Sequence, residues 1–146
     1  MKLTFKGDYA LKAVLELARN YRTDVVTIPE LAKRMDIPRK FLEQILLELK
    51  KGGFIESKRG KAGGYLLTQA PSTLTVGDIV RHIEGPLEPI ACTDHRYKGC
   101  KDMTSCVFRD LWCRVAQATS DIVDTVTFED LLNKVRVRED ALYFSI

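Results

Sequence analysis

The sequence predicts a mainly α-helical chain with a small β wing: a winged helix-turn-helix followed by a long helix suited to dimerisation. Three observations predict it. Thr27-Ile-Pro-Glu30 opens one short helix and Pro38 another, with only the tight Asp36-Ile-Pro38 turn between them, as in a helix-turn-helix. Two short β segments then flank a glycine-rich basic turn from Arg59 to Gly64, the pattern of a wing. Finally, Val107, Leu111, Val115, Ala118 and Ile122 step by four, four, three and four residues, a seam made to pack against another helix.

Each element has a local cause. Leu11, Val14, Leu15 and Ala18 recur on one face and predict a helix over residues 7–20. Thr27 and Glu30 form a capping box with a proline inside the first turn, so the second helix runs from there through Met35. After Pro38, the residues Phe41, Leu42, Ile45, Leu46 and Leu49 make the buried stripe of a third helix, which Gly52 and Gly53 stop. Phe54–Lys58 and Tyr65–Thr68 are the strands of the wing. Thr75, with Asp78 three residues on, caps a fourth helix that Gly85 and Pro86 end after Glu84. Phe108 and Trp112 widen the apolar face of the long helix, expected from Ser105 to Val123. Thr127 with Asp130 caps a last short helix, and the apolar ending from Ala141 to Ile146 is expected to pack on the body. The expected organisation is a winged helix-turn-helix DNA-binding domain over 1–85 and a cysteine-rich loop over 86–106. A dimerisation helix over 105–124 and a C-terminal helix with its tail over 125–146 complete it.

The net charge of the 146 residues is only +3, but it is unevenly spread. Residues 33–61 hold nine Lys or Arg against four acids, whereas residues 62–146 hold nine against twelve. A basic segment followed by an acidic one suits a nucleic-acid footprint joined to a solvated partner region. No run approaches the roughly 18 apolar residues of a membrane helix, and the N-terminus lacks the pattern of a signal peptide. The expectation is a cytoplasmic protein with no membrane partner. A thiol oxidoreductase is disfavoured because the chain has no Cys-x-x-Cys and no nucleophile–base pair, so no catalytic residue is assigned.

With the apolar stripe of the third helix turned inward, Arg39, Lys40, Glu43 and Gln44 remain on its outer face near the N-terminus. Recognition helices read DNA there. Arg and Lys donate to guanine edges or phosphates, Gln pairs with adenine, and Glu accepts from cytosine N4. Arg59 at the wing turn is placed to enter a narrow minor groove, with Lys58 and Lys61 near phosphates.

Between these parts lies the loop from Cys92 to Cys106, with Cys100 between them and almost nothing apolar around. Such cysteines cannot be buried as small hydrophobes. Three chemistries remain open to them: binding a metal, holding an iron–sulfur cluster, or exchanging disulfides. Cys113 lies seven residues beyond Cys106, about 10 Å along a helix, and reads as a packing residue. His82 reads as a surface or packing residue of the fourth helix.

The run Met1–Tyr9, the stretch Phe41-Leu-Glu-Gln44, the wing motif around Arg59, Gly63 and Tyr65, and Val76-Gly-Asp-Ile79 together resemble the Rrf2 family of bacterial transcription regulators. The resemblance covers essentially the whole chain. It implies a homodimeric winged helix-turn-helix protein, a repressor, that binds double-stranded promoter DNA. In the IscR-like branch Glu43 and Gln44 match base-reading positions, and Arg59 matches the wing arginine. Cys92, Cys100 and Cys106 take the places of the cluster cysteines, which implies a 2Fe–2S cluster, with 4Fe–4S the alternative, reporting iron, redox state or nitric oxide. The histidine ligand of IscR-like members is replaced by Arg109, which cannot serve. Asp8 is acidic as in NsrR-like members, where an aspartate at this place completes the cluster from the other subunit, and the fourth ligand is therefore placed there. Two alternatives stay open. Zinc could be held by the three cysteines and His95, or the regulator could be cluster-free and controlled by thiol chemistry or a partner protein, as in CymR-like members.

Overall fold

A computed structural model describes residues 1–61 and 63–145; Ala62 in the wing turn and Ile146 at the end of the apolar tail lie outside the described residues. The helices are α1 (Phe5–Arg19), α2 (Ile28–Met35), α3 (Arg39–Lys51), α4 (Val76–Glu84), α5 (Val107–Val123) and α6 (Phe128–Phe144). Strands β1 (Ile55–Lys58) and β2 (Gly64–Leu67) pair antiparallel, with Ile55 opposite Leu67 and Lys58 opposite Gly64. An isolated bridge from Val26 to Tyr65 ties the segment before α2 to β2. This is a winged helix-turn-helix with two long helices after it.

The caps set the boundaries. Thr27, Thr75 and Thr127 each accept from the backbone N–H three residues on, and Glu30, Asp78 and Asp130 return the bond, giving three complete capping boxes. α1 begins two residues earlier than its apolar spacing suggests, because the Thr4 side chain accepts from the Gly7 N–H and caps it. The turn between α2 and α3 passes through Asp36 at φ 52°, ψ 49°, a left-handed conformation that a short polar side chain tolerates. That single residue gives the helix-turn-helix its sharp bend.

The core forms where α1 crosses α3 and the root of the wing. Ala10, Ala13 and Val14 of α1 meet Leu42, Ile45, Leu46 and Leu49 of α3, and all seven are completely buried. Ile55 and Leu67 close it from the wing, and Leu74 and Ile79 from the start of α4. Phe128 is completely buried in the same core. It arrives there because Val76 N–H donates to the Val126 carbonyl and Phe128 N–H to the Leu74 carbonyl.

Two features differ from expectation. The last helix is not short: it runs 17 residues, because no glycine or proline interrupts the chain after Thr127. Its first turns are on the body through Phe128 and Leu132, and Arg19 bonds Glu139 at 3.2 Å. The expected packing of the tail on the body is not seen within this chain. Leu142, Tyr143 and Phe144 continue the helix past the end of α1 and stand exposed, Phe144 at 84%.

Candidate nucleic-acid interface and thiol loop

α3 buries one stripe and presents the other. Arg39, Lys40, Glu43 and Gln44 are all exposed at its N-terminal half, on the face opposite Leu42, Ile45 and Leu46. Lys58, Arg59 and Lys61 are exposed at the wing. Among the described residues, none of these seven side chains takes part in a hydrogen bond or ion pair, so their donors and acceptors are left for something outside the chain. The lower half of α3 is tied down instead. Lys50 donates to Ser57 at 2.7 Å, Lys6 pairs with the Glu48 carboxylate, and His82 bonds the Glu48 carbonyl through Nε2 at 2.7 Å.

The segment from Leu87 to Cys106 holds the thiols in a different setting. It has only a single 3-10 turn, Ala91–Thr93, and after Leu87 none of its residues is buried. Cys92 is half-buried, Cys100 and Cys106 are exposed, and Cys106 is the residue preceding the first turn of α5. Asp94 closes a small turn by accepting from the Arg96 guanidinium at 2.9 and 3.1 Å and from its backbone N–H at 2.9 Å. Those bonds hold the Asp94 carboxyl down at about 2. His95, beside it, points into solvent with its side chain 92% exposed.

Arg109, at the position where the resemblance anticipates a histidine, donates from Nε to the Cys92 carbonyl at 3.1 Å. It thus fastens the start of the loop to the first turn of α5. Cys113 is half-buried one turn beyond Arg109. Asp8 is half-buried on α1, paired with Lys12, at the rim of an open cleft of about 590 Å³ lined by Lys2, Leu3, Thr4 and Phe5. The donors suit a soft metal or an iron–sulfur centre by their chemistry, as three accessible thiols. Their arrangement does not assemble one within a single chain, since no three His, Cys, Asp or Glu side chains converge among the described residues.

Two polar ties distant in sequence hold α4, one to the long helix and one to the start of α1, and the residue pattern does not announce them. Arg81 of α4 forms an ion pair with Asp124 at the end of α5, its Nη2 2.9 Å from Oδ2 and 3.2 Å from the Ser120 hydroxyl. The Arg81 hydrogen bond keeps the Asp124 carboxyl below the usual carboxylate range. Glu84, at the end of α4, accepts from the Thr4 hydroxyl and from the Thr4 N–H at 2.8 Å. The Thr4 hydroxyl is the main reason its carboxyl is also lowered.

α5 contains no buried residue. Val107 is 81% exposed and Ile122 65%, while Leu111, Trp112 and Val115 are also open along the same helix. Among the described residues no helix is long and apolar enough to cross a membrane.

Comparison with known proteins agrees with this architecture. The Rrf2 family profile, described as an iron-dependent transcriptional regulator, matches residues 3–134. An Rrf2-like HTH-type transcriptional regulator of Rhodobacter capsulatus is 40% identical over 89% of this chain and 91% of its own. The HTH-type transcriptional regulator CymR of Bacillus subtilis is 31% identical over the full length of both chains. Its solved structure, described as that of the global cysteine regulator of that organism, superposes with a TM-score of 0.77 over 92% of this chain and 98% of that one. IscR of T. potens superposes at 0.74, with 29% identity, over 92% and 88%.

Proposed function

The chain belongs to the Rrf2 family of transcriptional regulators, and on that premise we propose that it is a homodimeric repressor whose three-thiol loop adjusts its grip on promoter DNA. The observation that carries the reading is the contrast along α3: polar side chains in its N-terminal half with no hydrogen-bond or ion-pair partner among the described residues, and a C-terminal half held from three sides. α3 lies with its N-terminal turns in the major groove, where Gln44 pairs with adenine and Glu43 accepts from cytosine. Arg39 and Lys40 reach guanine edges or phosphates. Arg59 enters the adjoining minor groove, and Lys58 and Lys61 neutralise phosphates beside it. The open apolar face of α5 meets the same face of a second copy. The dimer then sets two recognition helices about 34–36 Å apart for a palindromic site.

Cys92, Cys100 and Cys106 would hold an iron–sulfur cluster, 2Fe–2S or 4Fe–4S, with Asp8 supplied from the other subunit as a hard and therefore labile fourth ligand. When bound, such a cluster would supply redox and iron-responsive chemistry, lost under iron scarcity, oxidants or nitric oxide. The chain's own part is to hold the thiols in place: Arg109 anchors the carbonyl of Cys92, and Cys106 leads directly into α5. A change at the thiols therefore bears on the helix that spaces the two DNA-reading domains.

A second reading is favoured by two observations, that no three His, Cys, Asp or Glu side chains converge among the described residues, and that the chain is similar to CymR over its full length. In it the loop works without a cluster, through thiol chemistry or a partner protein. An anaerobic preparation decides between them through its visible spectrum and its iron, sulfide and zinc content. The cluster reading predicts a coloured protein that loses absorbance in Cys92→Ala, Cys100→Ala and Cys106→Ala and keeps it in Cys113→Ala. A colourless protein with stoichiometric zinc selects a zinc site, and one without metal selects the thiol reading. Selection from random duplexes tests the DNA function, with a palindromic operator as the expected product.

A further inference from the structure

The core places α3 through Leu42, Ile45, Leu46 and Leu49, which are completely buried, but apolar contacts are non-directional. A hydrogen bond to a backbone carbonyl is directional. The Glu48 carbonyl accepts twice, from the Gly52 N–H of its own helix at 3.1 Å and from His82 Nε2 at 2.7 Å. The second bond comes from α4, 34 residues away. For this bond Nε2 must carry the proton, since a carbonyl can only accept.

The surroundings are shaped for that contact. The His82 ring stands edge-on to Phe54, with centroids 5.2 Å apart and planes at 65°. Gly52 gives the pair of rings room: a Cβ there would come within 2.7 Å of Cε1 and Nε2 of His82 and of Cε2 of Phe54. Gly52 has an ordinary helical backbone, φ −77°, so its lack of a side chain answers to this close approach and not to a turn. Next to His82 in sequence, Arg81 holds Ser120 of α5 and Asp124, which follows its last turn. Two consecutive residues of α4 therefore hold the recognition helix and the long helix. Glu43 and Gln44 lie about 6–8 Å up α3 from Glu48, so a shift at the carbonyl is carried to them by a rigid rod.

We propose that His82 is a positioning residue for DNA recognition: its bond to the Glu48 carbonyl, in the space left by Gly52, fixes α3 on an α4 that is itself tied to α5. The proposal rests on the reading of α3 as the recognition helix, and the experiment separates the two.

The full-length protein is measured by fluorescence anisotropy against its selected operator and against an unrelated duplex, as wild type, His82→Phe, His82→Gln and Gly52→Ala. Phenylalanine keeps a ring against Phe54 and removes only the donor. Expected is a loss of operator affinity of about five- to tenfold in His82→Phe, with binding to the unrelated duplex and its salt dependence unchanged. Gly52→Ala should reproduce the loss and His82→Gln should recover part of it. Amide hydrogen exchange of the free protein gives a readout independent of DNA, with faster exchange at Gly52 and Phe54 in His82→Phe. Operator affinity and exchange both unchanged in His82→Phe would overturn the proposal while leaving the DNA reading intact. A wild type that does not prefer any operator over the unrelated duplex would instead overturn the DNA reading, and the role of His82 with it.

Discussion

In α3 four side chains of its 13 residues are completely buried; in α5, a helix of 17 residues, none is buried. Both are amphipathic, and both were recognisable by the same one-face spacing. The difference lies in what covers the apolar face. The stripe of α3 is covered by α1, β1 and α4 of its own chain, so that half is complete as it stands. Among the described residues, the apolar seam of α5 at Val107, Leu111, Val115 and Ile122 stays exposed, and Arg81 and Arg109 tie the helix to α4 and to the loop through polar contacts. Apolar burial is strong and hard to reverse, whereas a few exposed polar bonds are weak and easily exchanged. On the proposed function, this is the division between a DNA-reading unit that must keep its shape and a reporting unit that must change.

The largest effect that tests this contrast is a pair of identical deletions. Leu46→Ala should cost the fold about 2–5 kcal/mol, seen as a lower midpoint in urea unfolding. Leu111→Ala removes the same atoms from α5 and should leave the unfolding of the DNA-reading unit within about 0.5 kcal/mol, while weakening self-association measured by sedimentation. Equal losses of stability at the two sites would break the comparison.

A smaller effect separates reading from attraction within the DNA-facing surface. Arg59→Ala should weaken operator binding by about 1–3 kcal/mol and relax preference at the bases it meets. Lys58→Ala should weaken all sequences alike and lower the salt slope by about one unit. Unchanged operator affinity in Arg59→Ala would remove the wing from the interface.

The smallest effect concerns the loop. Asp94 has its carboxyl lowered to about 2 by Arg96, so its turn is fully formed above the ordinary aspartate range and is lost only as pH falls through about 2. Carboxyl titration by NMR should find it there, and Arg96→Ala should return it towards the usual aspartate range. A wild-type titration near the ordinary aspartate value would show that the loop lacks even this local order.

Much of the fold was legible because its signals are local. Thr27 with Glu30, Thr75 with Asp78 and Thr127 with Asp130 announce three helix starts within four residues each, and each is a complete capping box in the structure. Arg39, Lys40, Glu43 and Gln44 were legible by subtraction, as what the buried stripe of α3 leaves outside. The tail was not. Leu142, Tyr143 and Phe144 read as buried because they are apolar, but burial needs a surface within reach, and α6 carries them beyond the body of this chain. The ties of Arg109 to Cys92 and of His82 to Glu48 were equally hidden. Their partners are 17 and 34 residues away and are backbone carbonyls, which every residue has.

The central claim is that the three thiols govern how the other half meets DNA. It is tested most directly by the operator affinity of the anaerobically prepared protein, compared with the same protein after oxidation and with a variant in which Cys92, Cys100 and Cys106 are all alanine. The state of the loop should shift affinity by about 5- to 150-fold, the range of an ordinary coupling between two sites, with the dimer intact throughout. The same affinity in all three, at the same salt concentration, would contradict it.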